Sequence, residues 1–114
     1  MTTGVQTIIY PVQDLAGTKA AFVALFGVEP EMDEPYYVGF KVAGQDVGLD
    51  PNGHAKGMTG AVPYWHVDDV VKSLEGLVGA GATAVQEPED VGGGKLVATA
   101  KDADGNMIGL IQAP

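Results

Sequence analysis

The feature that most constrains the fold of this chain is an internal repeat. Residues 62–69 form a short aromatic segment that ends in an acidic pair, and residues 7–14 are its earlier counterpart. The two segments superpose with a constant offset of 55 residues, which also places Thr18 on Ser73. Such a repeat indicates two copies of one supersecondary unit, so it predicts the fold more strongly than a single motif does.

Each copy begins with a strand that runs directly into a helix. Residues 61–67 are bulky and aromatic, as is typical of a strand, and Asp69 can cap a helix over residues 69–80. The first copy has the same pattern, with a strand at 5–11 and a helix at 14–26. The first helix is expected to bury its large apolar side chains, namely Leu15, Phe22, Leu25 and Phe26.

Three further strands follow each helix. The predicted ranges are 28–32, 36–42 and 45–49 in the first copy, and 83–86, 96–101 and 107–112 in the second. The turns at Ala43-Gly44 and Asp104-Gly105 predict hairpins, and these hairpins superpose with an offset of 61 residues. Each copy is therefore a βαβββ unit.

The fold class that these elements predict is α+β. We expect one domain over residues 1–114, with unit one at about 1–50, a glycine-rich loop at about 50–60, and unit two at about 61–114. A single helix covers only one face of a small sheet, so the other face needs a second layer. The two units are expected to form a cup-shaped, partly closed mixed sheet with the helices outside.

Composition excludes several kinds of partner and site. The chain carries 15 acidic against 6 basic residues, a net charge of −9, and it contains no arginine, so nucleic acid and anionic membranes are poor partners. It has no cysteine, which excludes disulfides and thiolate chemistry. No apolar stretch is long enough to cross a bilayer, and the start has neither a basic region nor an apolar run. We expect a soluble, cytoplasmic protein.

With this organisation, the chain resembles the vicinal oxygen chelate superfamily, which includes glyoxalase I, bleomycin-resistance proteins, extradiol dioxygenases and methylmalonyl-CoA epimerase. The resemblance covers nearly the whole chain. It is carried by residues 12–15 with 22–27, by 65–70 and by 102–110. It supports paired βαβββ units, but one fold hosts many chemistries, so it predicts function only weakly.

The resemblance also implies a divalent metal on the floor of the cup. Carried over residue by residue, the family's ligand positions fall on Thr7, Gly48, Val62 and Gly109. None of these is a usual metal ligand, since glycine has no side chain and valine has no donor atom. We therefore expect no metal and no cofactor at the usual site.

Strand alternation identifies the side chains that would face the cup. If Val62 faces it, so do Tyr64 and His66, while Trp65 packs under the helix. In the first strand the corresponding residues are Thr7, Ile9 and Pro11. Tyr36 and Tyr37 point to opposite faces of one strand, so one is expected in the core and the other in the cup, and their order stays open. The predicted ligand-binding residues are Thr7, Ile9, Tyr37, Val62, Tyr64 and His66.

Three classes of function remain. The leading hypothesis is a metal-free protein that binds a small, largely apolar molecule and assembles as a homodimer. The alternative is a lyase, isomerase or dioxygenase, either with a non-standard metal site built from His66, His54 and an acid such as Asp50, or with His66 as a base. A structural or interaction domain with a filled cup is the third. The competing interpretation of His66 is a histidine at a strand end that is solvated or bonded to the neighbouring Asp68 or Asp69.

Overall fold

A computed structural model describes residues 2–114 of the chain. The chain divides into two compact units. The N-terminal unit is Gln6–Val62, and the C-terminal unit is Pro63–Pro114 together with the residues up to Val5. The first strand therefore contributes residues to both units.

The N-terminal unit is a four-stranded mixed sheet with one helix. Its elements are β1 (Thr2–Pro11), α1 (Leu15–Phe26), β2 (Met32–Glu34), β3 (Tyr37–Val42) and β4 (Gln45–Asp50). The strand order is β2-β3-β4-β1, with β1 and β4 parallel and the other neighbours antiparallel. Asp14 caps α1 by accepting a hydrogen bond from the Gly17 amide at 2.9 Å, and the left-handed Gly27 ends the helix. A short 3-10 helix, His54–Lys56, follows β4.

The C-terminal unit repeats this arrangement. Its elements are β5 (Val62–Val67), α2 (Val70–Gly79), β6 (Thr83–Asp90), β7 (Leu96–Lys101) and β8 (Met107–Gln112). The strand order is β5-β8-β7-β6, with β5 and β8 parallel and the other neighbours antiparallel. Asp69 caps α2 by accepting from the Lys72 amide at 3.0 Å, as the acidic pair predicts.

Each unit has its own apolar core between its helix and its sheet. In the N-terminal unit, Phe22 and Phe26 of α1 pack against Phe40 of β3, with the Phe26 and Phe40 ring centres 5.3 Å apart. The buried members of this core are Val12, Val38, Phe40, Val47 and Leu49, and those of the second core are Val70, Leu74, Ala98, Ala100 and Leu110. The sheet surface that faces these cores is called the helix-facing face, and the opposite surface the helix-distal face.

The predicted α+β class with two βαβββ units is confirmed, with local differences in the strands. The second strand lies at Met32–Glu34 instead of 28–32. The sixth strand continues through residues 87–90, which the sequence predicts as a loop. Pro88 is tolerated there because β6 is an edge strand of its sheet, where an amide donor is not needed on the outer side.

Leu25 is the clear error in the predicted core. Its side chain is 72% exposed, whereas Leu15, Phe22 and Phe26 pack against the sheet. A helix turns about 100° per residue, so Leu25 lies well to one side of the stripe that Phe22 and Phe26 define. Within residues 2–114, neither helix is long and apolar enough to cross a membrane.

Candidate functional site

The N-terminal unit brings three of the predicted ligand-binding residues onto its helix-distal face. Thr7 and Ile9 of β1 lie beside Asp46 and Gly48 of the parallel strand β4. Gly48 in turn pairs with Gly39 of β3, and the side chain of Tyr37 reaches over both glycines. Successive strand residues alternate between faces, and Tyr10 contacts Phe22 of α1, so Ile9 points away from the helix.

The C-terminal unit places the other candidates on one side of β5. Tyr64 pairs with Gly109 of β8, and His66 pairs with Ile111. Val62 begins the same strand with the same parity. The backbone carbonyl of His66 accepts a hydrogen bond from the Thr2 hydroxyl at 2.8 Å, which ties this end of β5 to the start of β1.

Burial separates the six candidates into two groups. Thr7, Val62 and Tyr64 are buried, with 6%, 1% and 3% of their surfaces exposed. Ile9, Tyr37 and His66 are half-buried. These last three therefore have surface that a small molecule can reach without rearrangement of the core.

Tyr37, not Tyr36, belongs to the helix-distal face. Tyr36 precedes β3 and is 59% exposed, so the expectation that the other tyrosine packs in the core is wrong. Burial and the negative charges of Asp50 and Asp46 raise the pKa of Tyr37 to about 12. The phenol therefore keeps its proton at any physiological pH and acts as a hydrogen-bond donor.

The metal positions implied by the family resemblance do not fit a metal in this structure. A Cβ at Gly48 would lie 2.6 Å from Cζ of Tyr37, and a Cβ at Gly109 would lie 2.6 Å from Cγ of Tyr64. Each tyrosine thus fills the space into which a ligating side chain would project. Within residues 2–114, no three His, Asp or Glu side chains are grouped as metal ligands.

Asp50 is committed to other partners. It is 4% exposed, and its carboxylate accepts from the Asn52 amide at 2.8 Å and from the Lys56 ammonium at 2.7 Å. Both oxygens therefore have partners within the 50–56 turn. This arrangement disfavours Asp50 as a ligand for the non-standard metal site that the sequence left open.

Sequence reasoning missed Asp46 and Asp50 as charged neighbours of Tyr37. Asp46 and Asp50 flank Gly48 at two-residue spacing, so all three lie on the helix-distal face of β4. Lys41 pairs with Asp46 across the strands at 3.6 Å. The signal is present as the pattern Asp-Val-Gly-Leu-Asp at residues 46–50, but Asp50 enters the sequence interpretation only as a possible metal ligand and Asp46 only through the net charge.

Two surface depressions lie at the helices of the units. One, of about 420 Å³, lies beside α2 and is lined by Trp65, Val67, Ser73 and Leu77 among others. Trp65 is 40% exposed, so its expected place in the core is wrong: the small residues Ser73 and Gly76 of α2 leave part of its ring uncovered. The other, of about 780 Å³, lies at the start of α1 and includes Gln13, Asp14 and His54. None of the six candidates lines either depression.

Comparison with known proteins places the chain among proteins of one fold. It is similar to a glyoxalase/bleomycin resistance protein/dioxygenase superfamily member from Vibrio splendidus 12B01 (19% identity, TM-score 0.68, 98% of each chain covered). It is similar to methylmalonyl-CoA epimerase from Mycobacterium tuberculosis (16% identity, TM-score 0.71, 99% of this chain and 89% of that chain). A third similar structure is the Mn(II)-bound glyoxalase from Novosphingobium aromaticivorans (21% identity, TM-score 0.71, 97% of this chain and 39% of that chain).

Sequence comparison identifies the family. No curated protein matches the chain. Residues 4–110, however, match the family model described as Glyoxalase/Bleomycin resistance protein/Dioxygenase superfamily, which covers nearly the whole sequence. The chain therefore belongs to the glyoxalase/bleomycin resistance protein/dioxygenase superfamily.

Proposed function

We propose that this member of the superfamily binds a small, largely apolar molecule on the helix-distal faces of its sheets, as a carrier or by sequestration, and that it does so without the family's usual metal. One observation carries the proposal: at Gly48 and Gly109 the space for a ligating side chain is filled by the rings of Tyr37 and Tyr64. The same substitution of a tyrosine ring for a metal ligand occurs in both repeats. It leaves apolar surface and phenol groups where a metal centre would need carboxylates or imidazoles.

The accessible candidates define the chemistry of each face. On the N-terminal unit Ile9 provides apolar contact and Tyr37 a phenol, and on the C-terminal unit His66 provides an imidazole; each is half-buried. A mainly apolar surface with a few polar groups is typical of small-molecule sites, because burial supplies affinity and the polar groups orient the ligand. The buried Thr7, Val62 and Tyr64 support these side chains from the same strands and contact the ligand less.

An enzyme is the second candidate, and the position of His66 favours it. His66 is half-buried at the end of β5 on the same side of the strand as Tyr64, so a bound molecule at that face has an imidazole within its reach. An imidazole can accept a proton from a bound molecule, which is the role of a general base. The activities to test in this protein are therefore those of a lyase, an isomerase or a dioxygenase.

Two measurements test the binding proposal. A thermal-shift screen of neutral, acidic and basic small molecules is expected to give ligands that raise the melting temperature in proportion to log concentration. Elemental analysis after incubation with zinc, nickel, iron and manganese is expected to show less than one metal per chain. If the protein is instead a structural domain whose cup is filled by side chains, no compound in the thermal-shift screen raises its melting temperature. A metal retained stoichiometrically, and lost in His66→Ala but not in His54→Ala, contradicts the metal-free site.

The assembly and location of the protein are part of the same proposal. We propose a homodimer, since small superfamily chains commonly pair, with no nucleic-acid or membrane partner and a cytoplasmic location. The net charge of −9 and the lack of arginine support the exclusion of polyanionic partners. Light scattering is expected to give twice the 11.7 kDa of one chain, and a single-chain mass at micromolar concentration rejects the dimer.

A further inference from the structure

The hydroxyl group of Tyr37 is held above the centre of the helix-distal face of the N-terminal unit. Cε2 of its ring lies 3.3 Å from the point where a Cβ on Gly39 would be, and Cζ lies 2.6 Å from the same point on Gly48. A Cβ at position 48 would clash with this ring, and a Cβ at position 39 would be in tight contact with it. The hydroxyl therefore points across β4 and along the face, instead of outward into solvent.

The charged groups around this hydroxyl are two carboxylates, and each is paired with a lysine: Asp50 with Lys56, and Asp46 with Lys41. Asp50 and Asp46 stand on either side of Gly48 on the same face of β4. Burial and these two charges raise the pKa of the phenol. The Asp50 carboxylate accepts one hydrogen bond on each oxygen within its own turn, from the Asn52 amide and from Lys56.

Apolar surface lies next to the same hydroxyl. On β1, the neighbour of Gly48 is Ile9, and the neighbour of Asp50 is Pro11. Both side chains are half-buried. The face thus combines one neutral donor, an apolar neighbour in Ile9, and a carboxylate two residues to either side of Gly48.

A ligand that fits this combination has an apolar body and an uncharged hydrogen-bond acceptor. A carboxylate or phosphate would gain a hydrogen bond from the phenol but would be repelled by the two aspartates, whose charges still act on the phenol despite their lysine partners. A ketone, aldehyde or amide carbonyl accepts the same bond without that repulsion. An ammonium group has no lone pair with which to accept the hydrogen bond of the phenol, so a cationic amine leaves this donor unsatisfied.

Resting on the small-molecule function proposed above, we propose that the Tyr37 hydroxyl donates a hydrogen bond to an uncharged carbonyl oxygen of the bound molecule, and that Asp46 and Asp50 exclude anionic ligands from this face. The ligand class is therefore neutral carbonyl compounds with an apolar, ring-sized body. Tyr37 is a specificity-determining residue in this scheme, and Ile9 supplies the apolar contact.

Two probes of equal size and different charge test the inference. Acetophenone and benzoate are titrated separately into the full-length protein while amide chemical shifts are followed by NMR. Acetophenone is expected to shift the amides of Gly39 and Gly48, and benzoate at the same concentration is not. Tyr37→Phe is expected to weaken acetophenone binding roughly tenfold, because one hydrogen bond in a partly desolvated site is lost.

Two variants serve as controls. Tyr36→Phe changes the neighbouring tyrosine, which is 59% exposed, and is expected to leave acetophenone binding unchanged. Asp46→Asn removes one negative charge from an exposed side chain and is expected to improve benzoate binding severalfold. This second variant tests the charge argument even if Tyr37→Phe fails to fold.

Three results overturn the inference. Benzoate binding at Gly39 and Gly48 as tight as that of acetophenone removes the argument from charge. Unchanged acetophenone affinity in folded Tyr37→Phe removes the donor. Absence of any shift with acetophenone rejects the ligand class. If the thermal-shift screen still gives ligands in any of these cases, the small-molecule function stands and only the inference about Tyr37 is lost.

Discussion

The ring of Tyr37 lies so close to Gly48 that its Cζ is 2.6 Å from the point where a Cβ on residue 48 would be placed. The repeat reproduces this relationship at Gly109, where Cγ of Tyr64 lies 2.6 Å from the corresponding point. The two tyrosines come from different strands, since Tyr37 begins β3 and Tyr64 lies within β5. Both units therefore cover the same glycine position with a tyrosine, but each does so from a different side.

We expect Gly109→Ala to destabilise the protein by about 1–3 kcal/mol, the usual cost of overpacking a core. The new Cβ would meet Cγ, Cδ1 and Cδ2 of Tyr64 at 2.6–2.8 Å, and that ring is 3% exposed. The clash lies at the root of a buried side chain, which cannot turn away. Urea denaturation measures the change in the free energy of unfolding.

Gly76→Ala is the matched control for this substitution. Gly76 lies within α2, and a Cβ there would meet nothing within 4 Å. Alanine is the better helix former, so this variant is expected to gain up to about 1 kcal/mol. If Gly109→Ala proves as stable as Gly76→Ala, the close packing of Tyr64 on residue 109 is contradicted.

We expect Gly48→Ala to cost less stability, under about 1 kcal/mol, but to move the Tyr37 hydroxyl. The clash here begins at the far end of the tyrosine, which is half-buried and can swing aside. Once displaced, the phenol leaves its partly buried place beside Asp46 and Asp50, so its pKa returns toward the ordinary value. An absorbance titration at 295 nm measures the pKa of the phenol. If the Tyr37 pKa stays at about 12 in Gly48→Ala, the hydroxyl has not been displaced.

The sequence predicted the fold and which residues lie on each face of a strand. It did not predict which side chains cover residues of a neighbouring strand. The repeat located both βαβββ units, and alternation put Ile9 on the face opposite Tyr10 and Phe22, as observed. The ring of Tyr37 over Gly48 depends on the register of β3 against β4, which alternation within one strand does not contain.

The errors have a related physical origin. Whether an apolar residue is covered depends on the size of its neighbours on another element. Trp65 is partly exposed because α2 presents Ser73 and Gly76 above it, and Leu25 is exposed because the aromatic stripe of α1 lies to one side. Pro88 sits in a strand because that strand is at an edge. Each outcome depends on tertiary packing and not on local pattern.

We expect Lys56→Met to lower the free energy of unfolding by about 1–3 kcal/mol. Lys56 is the ion-pair partner of Asp50, whose side chain is 6% exposed, so its removal leaves a buried carboxylate with less compensation. Lys41→Met is the control, because the Lys41–Asp46 pair is 3.6 Å long and exposed, and is expected to change stability by less than about 1 kcal/mol. Equal melting temperatures for the two variants contradict a structural role for the Asp50 pair.

We expect stability to fall between pH 10 and pH 12 in a way that depends on Tyr37. Its pKa is raised from 10 to about 12 in the folded protein, so in this window the unfolded chain loses the phenol proton while the folded chain keeps it. Because the unfolded chain binds fewer protons than the folded chain in this window, the free energy of unfolding decreases as pH rises. The stabilisation that is present below pH 10 is therefore lost by about pH 12. Tyr37→Phe removes this contribution.

Denaturant titrations at several pH values from 9 upward, with wild type and Tyr37→Phe in parallel, measure the difference in slope. Tyr36→Phe is the control, since Tyr36 is exposed and is expected to leave the slope as in the wild type. Identical slopes for wild type and Tyr37→Phe contradict the partly buried, carboxylate-flanked position of the phenol.

We expect His66→Ala to keep the fold and to weaken the ligands found in the thermal-shift screen. The hydrogen bond between Thr2 and residue 66 uses the backbone carbonyl of His66, so the alanine variant keeps this link between β1 and β5. The imidazole is half-buried on the side of β5 that Tyr64 shares, so a ligand on that face loses a polar contact worth about 1–3 kcal/mol. Isothermal titration calorimetry measures the affinity, and circular dichroism checks the fold.

His54→Ala, a change in the exposed turn after β4, is the matched control and is expected to leave the affinity unaltered. A folded His66→Ala protein with wild-type affinity assigns the histidine a structural role and moves the ligand contacts to Ile9 and Tyr37.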